Sequence, residues 1–528
     1  MTKNKKDLVI ASCFGILIGF VNLFSHRVLE IDFYSEELLK LEFRDFKWFF
    51  IGLLLGTACY TALHFINANC DFRKPAGPIS PKKCFWFPFA LTTASWSLQL
   101  LANNPCFLMG DTNYIIEYGM DMATQHSFLY ILFLSGGVHF FSWLTGSISW
   151  GLMLLTWVQI LICSLAVSYI LYWLAGKGFN KKILLCLTLY YAFLPIIGHY
   201  NISLVKDTLF GYFLTLASIA FYETTVTRKW LYNPWHVLLL VVSFVGTMAI
   251  RNNGFYIIIV LLAAALFLVD RKSRILVSAF MILCLLLHRD WSYGNLVQEK
   301  LAIPLQQIAY TLVKEKDISS EDTEVLENLF PLERWKESYN PMVVDMIKWS
   351  DDFNRYWLNY NERLFMKTWG HMARENLKEY TTAWLYQTYG IWTAVISAND
   401  SRLSMQSVFG HDPGYVYTLP QTGAQQQAGY IPILPETLGS LIRKIFSSVN
   451  YLGAGQCLWL TVICGFMSLS LKDKRGILII LPVLGVTGTL FLSTPLSTAF
   501  RYSFCYVIAF PVILCILNSC FHKQGMQS

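Results

Sequence analysis

Thirteen apolar runs thread the chain, each close to the ~20 residues an α-helix needs to cross a hydrocarbon core of ~30 Å. They lie near residues 8 to 25, 47 to 66, 84 to 104, 127 to 146, 149 to 175, 183 to 199, 207 to 223, 234 to 250, 254 to 270, 275 to 289, 452 to 471, 477 to 493 and 504 to 521. Lipid offers no hydrogen-bond partner to a backbone, so such runs fold as helices. Basic clusters between them mark the cytoplasmic side: Lys3, Lys5 and Lys6; Arg73, Lys74, Lys82 and Lys83; Lys177, Lys181 and Lys182; Arg228 and Lys229; Arg271, Lys272 and Arg274; Lys472, Lys474 and Arg475. These clusters share one side only if the run at 127 to 146 does not cross. Gly136, Gly137 and His139 suit an interfacial or re-entrant helix there better than a lipid-facing span. The sequence therefore predicts an all-α polytopic membrane protein of about 12 transmembrane helices plus one interfacial helix. It sits in the cytoplasmic membrane with both termini cytoplasmic.

Composition agrees, with 55% hydrophobic and 14% charged residues. The net charge of +7 comes from the cytoplasmic loops. No basic stripe with interleaved aromatics lies in a soluble segment, so nucleic-acid binding is excluded. The first run ends without a small-x-small cleavage pattern and reads as a retained span. Most of the 13 cysteines, among them Cys13, Cys59, Cys163, Cys186, Cys284, Cys464 and Cys515, sit inside apolar runs as small hydrophobes. Residues 290 to 450 contain none, so no disulfide framework is expected and Cys106 reads as a lone thiol near the outer surface. Zinc-ligand spacings and glycine-rich nucleotide loops are missing, which excludes a structural zinc and a nucleotide-driven pump.

Four parts follow: a two-helix membrane hairpin at 1–83; a membrane core at 84–289, with outer loop 105–126 and interfacial helix 127–146; an extracytoplasmic insertion at 290–450; and a three-helix membrane unit at 451–528. No internal repeat occurs. Within the insertion, Phe353, Trp357, Tyr360, Leu364, Tyr380 and Trp384 recur at helical spacing after a cap at Ser350, a pattern that reads as a packing face. From 397 to 435 the composition shifts to Ser, Gln, Gly and Pro, the makeup of loops able to close over a site.

The placement gathers ionisable residues at the outer membrane face, where their cost makes them functional candidates. Asp111 follows the third run, with His126 beyond it; Lys206 and Asp207 open a later span; Arg251, Asn252 and Asn253 break two runs at an outer hinge; Arg501 precedes the last span. Each has a plainer reading. Asp111 stands at an N-cap position, Lys206 and Asp207 can pair with each other, the arginines can anchor lipid phosphate, and a lone His is more often structural. Together they suit glycosyl transfer from a lipid phosphate. Arginine and lysine stabilise the departing phosphate, and a carboxylate takes the proton of the incoming hydroxyl. No nucleotide is needed, because the donor arrives already activated.

An outer aspartate, a His-initiated helix (His126-Ser127-Phe128-Leu129-Tyr130) and an aspartate opening a later span resemble the GT-C superfamily of integral-membrane glycosyltransferases. Its members include protein O-mannosyltransferases and the aminoarabinose transferases of lipid A. Leu204-Val205-Lys206-Asp207-Thr208-Leu209-Phe210, Arg251-Asn252-Asn253-Gly254 and Pro304-Leu305-Gln306-Gln307-Ile308-Ala309 resemble an uncharacterised bacterial membrane-protein family of that architecture. Ser127 follows His126 where GT-C members commonly carry prolines, and Thr112 follows Asp111 where many have a second acid. The resemblance implies a polyprenyl-phosphate-linked sugar donor, an extracytoplasmic acceptor (a wall glycan or a glycolipid) and contact with membrane lipids. It implies Asp111 and Asp207 as catalytic residues. His126, Lys206, Arg251, Asn252, Asn253, Gln306, Gln307 and Arg501 are the implied substrate-binding residues, and a divalent ion joining Asp111 and Asp207 stays open. A lipid-linked glycan flippase would instead place its charges near the bilayer midplane in two related halves. A non-catalytic envelope-assembly scaffold would leave Asp111 dispensable.

Overall fold

The computed structural model describes residues 3–32, 37–74, 81–227, 229–291, 297–395, 416–420, 422–446, 453–471, 473–497 and 499–523. All thirteen apolar runs are helical. Along the first half of the chain they are α1 (Lys3–Glu30), α2 (Phe46–Asn69), α3 (Pro81–Ala102), then, after a short helix α4 (Gly110–Tyr118), α5 (Phe128–Thr145), α6 (Ile148–Gly176), and α7 (Lys181–Phe193) with α8 (Pro195–Asn201). The next are α9 (Lys206–Val226), α10 (Pro234–Ile250), α11 (Asn252–Leu268) and α12 (Arg271–Trp291).

The insertion is built from α13 (Val297–Lys300), α14 (Ala302–Val313), α15 (Ser320–Leu329), α16 (Leu332–Glu337), α17 (Asp345–Lys348), α18 (Arg355–Glu375), α19 (Leu377–Gln387) and α20 (Tyr389–Trp392). A two-stranded antiparallel hairpin, β1 (Val416–Thr418) with β2 (Gln425–Gln427), and α21 (Glu436–Ile445) follow. The chain closes with α22 (Ala454–Ser470), α23 (Gly476–Leu492) and α24 (Phe504–Lys523).

Among the described residues six helices are long and apolar enough to cross a membrane, or seven if α7 and α8, bent by 56° at Pro195, form one broken span. The protein is thus a mainly α-helical membrane protein. By length and composition α5 belongs to the six. Its two ends nevertheless meet neighbouring elements closely: Ser127 Oγ donates to Ala249 O near the end of α10, and Gln426 Nε2 of β2 donates to Gly146 O at 3.0 Å. At mid-length Ser135 Oγ and His139 Nε2 both reach Ile116 O of α4.

Members of the expected basic clusters come together at one end of the bundle, Arg228 and Lys472 lying outside the described residues. Arg73, Lys177 and Arg475 line a single cavity there, Lys6 Nζ donates to Ser470 O at 3.2 Å, and Lys272 lies 6.0 Å from the Tyr232 ring. Two apolar cores result, one among the membrane helices and one in the insertion. The latter takes in Val28 and Ile31 from the end of α1, while Trp459 and Phe491 pack against both.

Some expectations fail on packing grounds. Asn354, not Ser350, caps α18, accepting from Trp357 N at 2.9 Å. Phe353 is buried ahead of the helix, and within α18 Leu358, Phe365 and Met372 form the buried stripe, so Tyr360, two residues from Leu358 and on the opposite face, is 88% exposed. Cys106 is fully buried rather than near the surface. Of the loops expected at 397 to 435, residues 396–415 lie outside the described residues. The rest straps the helix ends: Tyr417 OH donates to Asn113 Oδ1 at 2.7 Å, and Ile431 N to Asn104 Oδ1 at 2.6 Å.

Candidate functional site

Local backbone pairing sets the site. Residues 103–109 and 202–205 run side by side, with Phe107 N donating to Ile202 O and Leu204 N to Phe107 O, and Thr112 Oγ1 donates to Leu204 O at 2.8 Å. This staple brings the first turn of α4, carrying Asp111, beside the first turn of α9, carrying Lys206 and Asp207. Met109 is the N-cap of α4, so Asp111 lies inside the helix and is not the expected cap. A third helix begins nearby. Arg251 is extended (φ −137°, ψ 135°) and serves as both the end of α10 and the cap of α11. The turn is so tight that a Cβ on Gly254 would lie 2.2 Å from Thr247 O, which is why glycine stands there. Arg501 comes in on the 3-10 turn Phe500–Ser503 ahead of α24.

These elements and the insertion enclose a cavity of about 520 Å³ whose lining includes Asp111, His126, Lys206, Arg251, Asn252, Asn253 and Arg501. Seven of the ten sequence candidates therefore share one space. An alternating chain of charge runs along its wall. Asp111 Oδ2 accepts from Arg501 Nη1 at 2.9 Å; Arg501 Nε lies 3.9 Å from Asp207 Oδ2; Asp207 Oδ1 accepts from Arg251 Nη1 at 2.6 Å. Tyr502 packs against both arginines, with guanidinium carbons 4.8 and 5.1 Å from its ring centre. Lys206 Nζ is 2.9 Å from His126 Nδ1. An ammonium can only donate, so Nδ1 accepts and His126 is neutral with its proton on Nε2.

Two acidities follow. Burial and then the Lys206 charge push His126 down to about 3, against a smaller opposing pull from Asp111. Burial alone would raise Asp111, but the Arg501 and Lys206 charges outweigh it and bring the carboxyl down to about 2. With 47% of its side chain accessible, Asp111 faces the cavity as a permanent anion. Three cations and three helix N-termini, those of α4, α9 and α11, leave a surplus of positive potential suited to an oxyanion.

Three candidates stand elsewhere. Asp207 is 1% exposed and lies behind the arginines, holding them rather than lining the cavity. Gln306 and Gln307 are buried in the insertion, where Gln306 Nε2 donates to Gln387 Oε1 and Asn340 O, and Gln307 Nε2 donates to Tyr380 O. Substrate contact by either is corrected accordingly. A divalent ion fits poorly, because Arg501 already lies between the two carboxylates it would join. Among the described residues no group of three or more His, Cys, Asp or Glu could hold one.

Sequence reasoning missed the opposite wall, where the insertion contributes Glu299, Lys300, Asp345, Lys348 and Trp349. The available signal was Lys348-Trp349 close after an acid in a mildly acidic segment. The insertion is fixed to the membrane half by Val344 N donating to Pro495 O, Ser497 N to Met342 O and Ser493 Oγ to Glu299 O.

Residues 120–526 match the model of a family described as a family of unknown function (DUF6020). The match takes in the insertion and the cavity residues except Asp111, which lies ahead of it. No curated protein and no solved structure matches the chain.

Proposed function

The chain belongs to DUF6020, a family of unknown function, and from its cavity we propose a membrane glycosyltransferase of GT-C type. It moves a sugar from a polyprenyl phosphate to an extracytoplasmic acceptor, a wall polymer or glycolipid. The observation that carries this is the meeting of Lys206, Arg251 and Arg501 with Asp111 in one partly enclosed space at helix ends. A transporter would hold such charges near mid-helix.

The same reading sets a topology. The cavity lies at the start of α9 and the basic cluster at its other end, so the site is extracytoplasmic and both termini are cytoplasmic. Both ends of α5 bond to elements on the cavity side, Ala249 and Gln426, which supports an interfacial α5 and about twelve crossings.

In the reaction, the acceptor hydroxyl attacks the anomeric carbon and the bond from that carbon to the phosphate oxygen breaks. Its electron pair leaves on the lipid phosphate, which gains charge against Arg251, Arg501 and Lys206. The hydroxyl proton passes to Asp111. Held by Arg501, Asp111 is a weak base. The leaving phosphate competes for that guanidinium, and as it draws Arg501 away Asp111 becomes more basic when the proton must move.

The test is binding of farnesyl phosphate to the full chain in nanodiscs. Arg251→Ala should weaken it by about 1.5 to 3 kcal/mol, the worth of a hydrogen bond to a charged group. Arg251→Lys should recover part, since the planar fork is lost. Unchanged binding by folded Arg251→Ala removes Arg251 from the site.

A further inference from the structure

The cavity has two walls of different chemistry. On the membrane side cations outnumber carboxylates. On the insertion side Lys348, only 2% exposed, is clamped between carboxylates: its Nζ lies 3.0 and 2.9 Å from the two oxygens of Glu299 and 3.0 Å from Asp345 Oδ1. Glu299 and Asp345 themselves are 33% and 44% exposed. An ionised carboxylate offers about four acceptor sites, so one ammonium leaves several unfilled on this pair. With Lys300 beside them the two acids and two lysines leave this wall without net charge, so it lacks the surplus of cations that suits a phosphate, while the open carboxylate oxygens accept hydrogen bonds from neutral hydroxyls. Beside them Trp349 is 36% exposed, its ring held by Arg355 at 5.1 Å and Lys348 at 5.7 Å from the centroid. An indole face suits the C–H face of a pyranose, and carboxylates suit its rim of hydroxyls.

We infer that the Glu299, Asp345 and Trp349 wall is a sugar-binding subsite that holds a neutral hexose opposite the phosphate-binding cations. The inference rests on the transferase reading for the identity of that sugar, which is either the acceptor's terminal residue or the sugar being moved. Geometry favours a fixed platform. The 342–344 segment pairs with 495–497, just ahead of the turn that carries Arg501, so the two walls hold one spacing. Lys348 does not touch the sugar here; it is a positioning residue whose ammonium holds both carboxylates in place.

Saturation-transfer NMR on the full chain in nanodiscs tests this, with methyl glucoside, methyl galactoside and methyl mannoside as probes and farnesyl phosphate present throughout. At least one hexoside should bind. Trp349→Ala should weaken it roughly tenfold, the scale of a lost aromatic contact, with farnesyl phosphate affinity unchanged. Glu299→Gln removes charge with little change of shape and should also weaken the hexoside, so the inference does not hang on one variant folding. Displacement of the hexoside by a farnesyl-phosphate hexose assigns the wall to the donor's sugar, and simultaneous binding assigns it to the acceptor. Hexoside contact untouched by both substitutions overturns the inference, as does no hexoside contact at all while farnesyl phosphate binds. Hexoside binding that depends on Trp349 without any farnesyl phosphate binding upholds the sugar wall and sinks the donor reading instead.

Discussion

Asp207 and Asp111 both face arginine, yet their surroundings give them different work. Asp207 is 1% exposed and pairs with Arg251. Removing one partner of a buried pair strands the other charge, so Asp207→Asn should lower stability by about 3 to 5 kcal/mol, read as a fall in thermal midpoint. Asp111 is half open, so Asp111→Asn should leave the midpoint nearly unchanged while sugar transfer drops by about 10²-fold or more. Normal transfer by Asp111→Asn would move the base elsewhere. His126 gives a pH signature. Folded, it stays neutral down to about 3, whereas the unfolded chain takes up a proton near 6.5. The unfolded state therefore binds more protons across that window, and stability falls as pH drops through it. His126→Gln, whose carbonyl can still accept from Lys206, should flatten that slope; an unchanged slope would show that His126 is not its source. Asp111, His126, Lys206, Arg251 and Arg501 were legible in sequence because charge beside an apolar run is rare. Gln306 and Gln307 were misplaced because an amide in a buried network and an amide facing substrate look the same in one dimension. Glu299 carries no local mark, and only tertiary pairing across the insertion brings it to Lys348.

At the scale of elements, the apolar runs read true because lipid demands hydrophobicity without regard to phase. The insertion follows the stricter 3.6-residue rule, and because α18 begins only after Asn354, a stripe counted from Phe353 puts Tyr360 on the wrong face. Helix α5 is the element where composition and contacts part: its 18 apolar residues satisfy a span by length, while the partners at its two ends support the interfacial reading proposed above. Cysteine labelling in a cysteine-free background decides the matter. A thiol at Ser320 should react from outside and one at Lys181 from inside only, both positions being exposed. Outside labelling at Lys181 would mean that α5 crosses, and Lys206, Arg251 and Arg501, which follow it, would change their assigned side.

For the whole molecule, the insertion is a working half of the cavity rather than an ornament on it. Its core takes in the end of α1, Trp384 Nε1 donates to Phe491 O at 2.9 Å, and Gln387 Nε2 donates to Thr494 O at 2.6 Å. These ties run through the 491–497 stretch that leads to Arg501, so the position of the insertion and the aim of that guanidinium are set together. A sequence shows where a helix ends, but not which distant segment comes to roof it. The most direct test is a structure of the full chain with a bound polyprenyl phosphate. The account predicts the phosphate among Lys206, Arg251 and Arg501, with Glu299 and Trp349 across the cavity from it. A phosphate seated instead among Arg73, Lys177 and Arg475 at the opposite end of the bundle would contradict it.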